Sequence, residues 1–99
     1  MELVELQKDI LKYVDKEITL EGWVRNHRKQ KEFGFIEFTD GTTFKRMQVV
    51  YTNELASFDD IQKIRVGSAI EVKGILSKSE GKGQDYEVKA TSVILLGDS

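Results

Sequence analysis

The sequence predicts a small all-β barrel of five short strands, with one helix before the first strand and another between the third and fourth. Two observations carry this. After residue 16 the apolar positions switch from helical spacing to alternation by two, and they keep alternating through four further segments. One short helical pattern interrupts the series, and it falls after the third segment.

Each element has its own signal. Leu3, Leu6, Ile10, Leu11 and Val14 form one apolar stripe at helical spacing, which predicts a helix ending near Asp15-Lys16. Ile18, Leu20, Gly22 and Val24 then alternate with Thr19, Glu21, Trp23 and Arg25, a half-buried strand that Gly22 allows to bend. Asn26 to Glu32 reads as a polar loop. In the second strand, Phe33 to Thr39, Ile36 and Phe38 face one way and Phe33, Phe35 and Glu37 the other. Asp40-Gly41 marks a turn. The third strand, Lys45 to Tyr51, turns Met47, Val49 and Tyr51 inward and Arg46, Gln48 and Val50 outward. Ser57 with Asp60 three residues later resembles a helix cap, Phe58, Ile61 and Ile64 supply the apolar face, and Val66-Gly67 ends the helix. Ala69 to Lys78 is the fourth strand, with Ile70, Val72 and Leu76 inward and Gly74 at a bend or bulge. A glycine-containing loop, Ser79 to Gln84, leads to a fifth strand, Asp85 to Val93, with Tyr86, Val88 and Ala90 inward. This order is the plan of the oligonucleotide-binding (OB) barrel. A small α+β sandwich fits the order as well.

With 99 residues the chain is expected to be one domain, residues 1–99. Its 39% apolar and 32% charged residues describe a solvated globular domain. The longest apolar run, Val93-Ile94-Leu95-Leu96, is far below the roughly 20 residues of a membrane span, so no membrane partner is expected. The first residues lack a signal-peptide pattern, and cysteine is absent, so a cytoplasmic location is expected and thiol chemistry is excluded. A lone histidine and no carboxylate cluster at ligand spacing give no metal site. His27 has no evident Ser or Asp partner for nucleophilic catalysis and reads as an exposed loop residue. Gly81-Lys82-Gly83 shares two glycines with a dinucleotide loop but lacks the third and lies between strands. No bond-making machinery is visible.

The net charge of −2 hides an asymmetry. Between residues 25 and 46, Arg25, Arg28, Lys29, Lys31, Lys45 and Arg46 outweigh Glu32, Glu37 and Asp40, so a basic segment sits on an acidic body. The second strand leaves Phe35 outward beside it. Arg25 and Arg28 come from the first strand and its end, Arg46 and Gln48 from the third, and neighbouring strands lie only about 5 Å apart. A stacking ring, a side-chain amide and several cations suit single-stranded nucleic acid. The Phe35 ring offers a base a flat apolar face. Gln48 pairs a donor with an acceptor, which matches O4 and N3–H of uracil. The Arg28 guanidinium stacks on a base or grips an edge or phosphate. Arg25, Lys29 and Lys31 hold the backbone and make binding salt-sensitive.

Ile18-Thr19-Leu20-Glu21-Gly22-Trp23-Val24-Arg25-Asn26-His27-Arg28, Phe35-Ile36, Asp40-Gly41 and Met47-Gln48-Val49-Val50 together resemble the N-terminal anticodon-binding domain of class IIb aminoacyl-tRNA synthetases. These are the aspartyl, asparaginyl and lysyl enzymes, and the likeness runs in order along essentially the whole chain. Phe38 to Thr42 and Gly81 to Ala90 lean toward the asparaginyl branch. The resemblance implies an OB-fold and, as partner, the anticodon loop of tRNA, of tRNA-Asn for that branch. It implies that Phe35 stacks on the central anticodon uracil, that Gln48 reads its edge, and that Arg28 matches the family arginine at the end of the first strand. The outer anticodon bases are read in the family from the loop between strands four and five. Lys82 and Gln84 are the candidates here.

The family's large catalytic domain, with its ATP-gripping arginines, is missing from these residues. The chain alone is therefore expected to be a domain cut from an enzyme, neither binding ATP nor charging tRNA. Cofactors are none for this chain, ATP and Mg being implied only for the catalytic domain. The parent implied is an ATP-dependent asparagine–tRNA ligase, homodimeric through that domain. Three other readings stand beside this one: an anticodon domain of an aspartyl or lysyl enzyme, a free-standing single-strand binder, and a barrel used for protein contact.

Overall fold

The computed structural model describes residues 2–42, 46–79 and 86–97. Its elements are α1 (Leu3–Lys8), α2 (Ile10–Tyr13), β1 (Glu17–Lys29), β2 (Phe33–Thr39), β3 (Met47–Thr52), α3 (Phe58–Gln62), β4 (Ala69–Lys78) and β5 (Tyr86–Gly97). The strands close into a barrel in the order β1-β2-β3-β5-β4, β4 returning to β1. All neighbours are antiparallel except β3 and β5, which run parallel. This is the OB-fold, and the sandwich is excluded.

One long strand makes closure possible. Glu17 to Trp23 pairs with β4, and Trp23 to Lys29 pairs with β2, so Trp23 belongs to both ladders. The change of partner requires a close approach at Gly22, where a Cβ would lie 2.5 Å from the Thr39 carbonyl oxygen and 2.8 Å from the Phe38 ring. Gly22 is thus the residue that lets the two backbones approach where β1 changes partner. Gly74 sits at a register shift between β4 and β5, its Cα turned against the Lys89 carbonyl.

The alternation puts the core inside the barrel. Ile18, Leu20 and Val24 from β1, Ile36 and Phe38 from β2, Met47, Val49 and Tyr51 from β3, Ile70, Val72 and Leu76 from β4, and Val88 and Val93 from β5 are buried. α1 adds Leu3 and Leu6, and the segment around α3 adds Ile61 and Ile64. α1 has no cap of its own. Its first amides are satisfied from the β2–β3 turn: Leu3 N–H donates to Asp40 Oδ2 at 2.8 Å, and Val4 N–H donates to Thr42 Oγ1 at 3.1 Å. Burial alone would raise the pKa of Asp40. The hydrogen bonds from the Thr42 hydroxyl and from the Leu3 and Thr42 amides outweigh it and hold the carboxyl below 3.8.

Several expectations need correction. The N-terminal stripe is two short helices meeting at Asp9, and Leu11 is 77% exposed. The helix stops before Asp15 because the chain turns there, at φ +66°, to dock on β4: Val14 bridges Leu76 and Asp15 N–H donates to the Leu76 carbonyl. Ser57 makes no side-chain cap, and α3 ends at Gln62, before Val66-Gly67. The fifth strand continues past Val93 to Gly97, because β4 runs beside it as far as Ala69. Asn26 to Lys29 is strand, held by β2, and not loop. The ends placed at Lys45 and Asp85 fall outside the described residues.

Candidate nucleic-acid interface

The interface is organised by a one-residue irregularity. Val24 pairs with Phe38, but the next pair is Asn26 with Glu37, so Arg25 is an extra residue, a β-bulge. Counting by two from Val24 would send Asn26 and Arg28 inward. The bulge reverses this. Arg28 now stands opposite Phe35 on the outer surface, and His27 stands opposite the buried Ile36.

Continuing across the sheet, two rows of partners run outward side by side. Asn26, Glu37, Gln48 and Glu87 form one row; Arg28, Phe35, Val50 and Lys89 form the other. Together with Lys78 and Ser79 from the end of β4, most of these residues line a cleft of about 360 Å3. One row is a line of amides and carboxylates. The other is an aromatic and an aliphatic side chain between two cations.

Phe35 is half-buried, and Phe33 buttresses it edge-to-face at 5.3 Å between ring centroids and 86° between planes. Phe33 itself is 39% exposed, beyond the cleft lining. Arg46 reaches toward the cleft from outside it, 3.5 Å from Glu37 Oε2, and so offsets one of its carboxylates.

Of the sequence-predicted residues, Phe35, Gln48 and Arg28 converge on the cleft. Arg25, Lys29 and Lys31 are exposed but do not line it. Arg25 is the bulge, Lys29 closes β1, and Lys31 lies in the β1–β2 turn. Among the described residues, Arg46 meets the cleft lining at Glu37. Lys82 and Gln84 lie outside the described residues. Sequence reasoning missed Asn26, Glu87 and Lys89 as cleft residues. Glu87 and Lys89 alternate with inward Val88, a visible signal, but only the parallel β3–β5 pairing sets them beside Gln48.

His27 is the clearest correction. It is a half-buried strand residue, not an exposed loop residue. Its Nδ1 lies 2.9 Å from the Ile64 carbonyl oxygen and its Nε2 lies 2.7 Å from the Tyr51 hydroxyl. A carbonyl only accepts, so Nδ1 carries the proton and Tyr51 donates to Nε2. Burial is the main cause that lowers the His27 pKa below 6.5. The Ile64 hydrogen bond opposes it, and Lys29 adds to it. The neutral ring fits both partners. Tyr51 reaches His27 by lying across Gly34, where any Cβ would collide with its ring and hydroxyl.

Chemically, this surface offers a ring face for stacking, side-chain amides for hydrogen bonding and cations beside two carboxylates. Among the described residues no three His, Cys, Asp or Glu side chains come together to hold a metal, and no helix is long and apolar enough to cross a membrane.

Comparison with known proteins identifies the family. Residues 18–96 match the tRNA anti-codon model, described as an OB-fold nucleic acid binding domain. The chain is 45% identical over 95 residues to an asparagine–tRNA ligase of Acholeplasma laidlawii, covering 95% of this chain and 20% of that protein. It is 41% identical over 92 residues to one of Desulfitobacterium hafniense, covering 93% and 20%. The chain thus spans about a fifth of the length of these curated relatives. The crystal structure of asparaginyl-tRNA synthetase from Pyrococcus horikoshii superimposes with a TM-score of 0.78 over 89% of this chain and 21% of that one. At 21% identity, it speaks for the fold alone. The family model covers most of the chain, from the second residue of β1 to nearly the end of β5, and the chain belongs to the tRNA anti-codon family of OB-fold nucleic acid binding domains.

Proposed function

We propose that the chain recognises the anticodon loop of tRNA-Asn as the anticodon-binding part of an asparagine–tRNA ligase. The observation that carries this is the convergence of Arg28, Phe35 and Gln48 from three different strands on one cleft. The asparagine–tRNA ligases matched over 92 and 95 residues supply the choice of tRNA.

The mechanism is recognition and positioning. The central uracil lies on the Phe35 ring, a contact worth about 1–3 kcal/mol. Gln48, beside it in the polar row, donates to O4 and accepts from N3–H. Arg28 beside the ring and Lys89 at the far end of the same row, beyond Val50, meet the phosphates, while Lys29, Lys31 and Arg25 extend the positive surface beyond the cleft. Lys82 and Gln84 take the outer anticodon bases. Holding the loop fixes the rest of the tRNA as a rigid body, and its acceptor end is delivered to a catalytic domain of a longer, cytoplasmic, homodimeric parent. ATP and Mg serve that domain's chemistry. Residues 1–99 supply the grip, as one domain.

The test is a titration of the protein with an anticodon stem-loop carrying uracil at the centre, and with the same loop carrying cytosine. Cytosine replaces the O4 acceptor with an amine donor and removes the N3 proton, so the cytosine loop is expected to bind more weakly. Equal affinities refute the role of Gln48. Equal binding of unrelated RNA loops favours general single-strand binding.

A further inference from the structure

Beneath the cleft lies a polar chain that the recognition mechanism leaves unused. Gln62, in the last turn of α3, donates to the Gln30 carbonyl at 2.7 Å, and its side chain stands near enough to the Tyr51 hydroxyl to oppose the rise that burial causes in the Tyr51 pKa. Tyr51 from β3 donates to His27 Nε2 at 2.7 Å, and His27 Nδ1 donates to the Ile64 carbonyl at 2.9 Å. The links tie the far end of β1 at two points, residue 27 to the segment after α3 and residue 30 to α3 itself. Between those points lies Arg28, facing the opposite way, directly opposite Phe35.

We propose that His27, Tyr51 and Gln62 are positioning residues for RNA recognition, holding the Arg28 backbone so that its guanidinium stays beside the Phe35 ring. The inference rests on the reading of the cleft as the anticodon site. The argument is geometric. Arg28 is the next-to-last residue of β1, and strand ends fray. Arg28 is exposed, and its outward face is the binding surface. The β2 ladder and the Gln30 N–H bond to the Phe33 carbonyl set its register, and contacts from within hold the strand behind it. His27 is the inward neighbour that does so, because the bulge at Arg25 turns it toward Ile36 and the barrel interior. The groups packed around the ring suit a neutral imidazole. β3 contributes the Tyr51 hydroxyl, β2 the apolar Ile36, β1 the cation Lys29, and the segment after α3 the Ile64 carbonyl, with Lys63 and Arg65 flanking it in sequence. Tyr51 is itself packed against Phe58 at 5.7 Å between ring centroids, which fixes where its hydroxyl points.

The test is a double-mutant cycle on the whole chain, read as the dissociation constant for the uracil-centred anticodon stem-loop. Tyr51→Phe removes only the hydroxyl and keeps the ring that fills the core, so the barrel remains folded; a thermal melt of each variant checks this. Tyr51→Phe is expected to weaken binding about five-fold, which is about 1 kcal/mol, and His27→Gln by a similar factor. In an Arg28→Ala background, Tyr51→Phe is expected to change affinity less than two-fold, because the group it positions is gone. A merely structural role predicts the same five-fold loss in both backgrounds, and that result overturns the proposal. Unchanged affinity of Tyr51→Phe alone also overturns it. If Arg28→Ala binds the loop as tightly as the unmodified protein, the reading of the cleft fails and the proposal falls with it. A normal Arg28 effect with additive Tyr51→Phe overturns the positioning role alone.

Discussion

The two halves of β1 follow different rules. From Glu17 to Trp23 the strand alternates strictly, pairs with β4, and uses its inward side chains only for core. From Asn26 to Lys29 it pairs with β2 one position out of phase. Its outward side chains line the cleft, and its inward histidine is polar and hydrogen-bonded. A glycine serves each half, Gly22 within the first and Gly34 of β2 opposite the end of the second, but to different ends. Gly22 lets the β1 backbone press against β2, whereas Gly34 makes room for the Tyr51 ring. The first half could be redesigned by hydrophobic substitution with the site untouched. The second couples core and site through one inserted residue, so a change on either face of it is felt on the other.

The largest expected effect breaks both halves and then separates them. Gly34→Ala drives a methyl into Tyr51, and Gly22→Ala drives one into the Thr39 carbonyl and Phe38. Each is expected to lower stability by about 3 kcal/mol, measured by chemical denaturation. In the fraction that remains folded, Gly34→Ala also weakens RNA binding, because Tyr51 loses its place, while Gly22→Ala binds normally. Equal RNA affinities for the two variants contradict the division of labour along β1.

Smaller effects test the outward face. Phe35→Ala is expected to cost about 2 kcal/mol of stem-loop affinity and Gln48→Ala about 1 kcal/mol. Gln48→Ala also erases the preference for uracil over cytosine. A stem-loop titration in which neither variant differs from the parent protein removes the site.

The inward face is tested by pH. The folded protein holds its one histidine below 6.5, chiefly through burial. The unfolded chain therefore binds the proton more readily than the folded one. The His27 contribution is complete above pH 6.5 and is lost as pH falls through the folded value. Denaturation at pH 7.5 and 5.5 is expected to show lower stability at 5.5 and a smaller drop in His27→Gln. An identical drop in the two proteins would trace the effect to other groups.

The smallest effect concerns charge outside the cleft. Lys29→Ala is expected to weaken all loops alike and to lower the slope of log affinity against log salt by roughly 1. A base-selective loss would place Lys29 in the cleft.

These contrasts also explain what was legible in the sequence. Alternation is local, so the inward set of β2, β3 and β4 can be read directly, and β4 matches the expectation at both ends. Phe35 and Gln48 follow from the same pattern. The bulge is not local. It arises where β1 exchanges β4 for β2, and no residue type at Arg25 announces it. The polar run from Asn26 reads as a loop, so His27 and Asn26 are expected outside the strand, whereas β2 pairs with both and the bulge sets which way each faces. Arg28 reached the outer face in the expectation because it was put in a loop, and it reaches it in the structure because the strand slips. Glu87 and Lys89 depend on a parallel pairing between segments almost forty residues apart in sequence, which periodicity does not encode. Leu11 carries the spacing of a core residue and is exposed because the helix breaks at Asp9 and turns away at Asp15.

The cap that the β2–β3 turn lends to α1 has a kinetic meaning. Six residues are too few to hold a helix in water unaided. The donors that open α1 wait for Asp40 and Thr42, which lie 37 and 38 residues further along. Contacts of such separation form late. The helix that comes first among these residues is therefore among the last parts to settle. Amide exchange at Leu3 and Val4 becomes a clock for the closing of the hairpin, not for the helix that contains them.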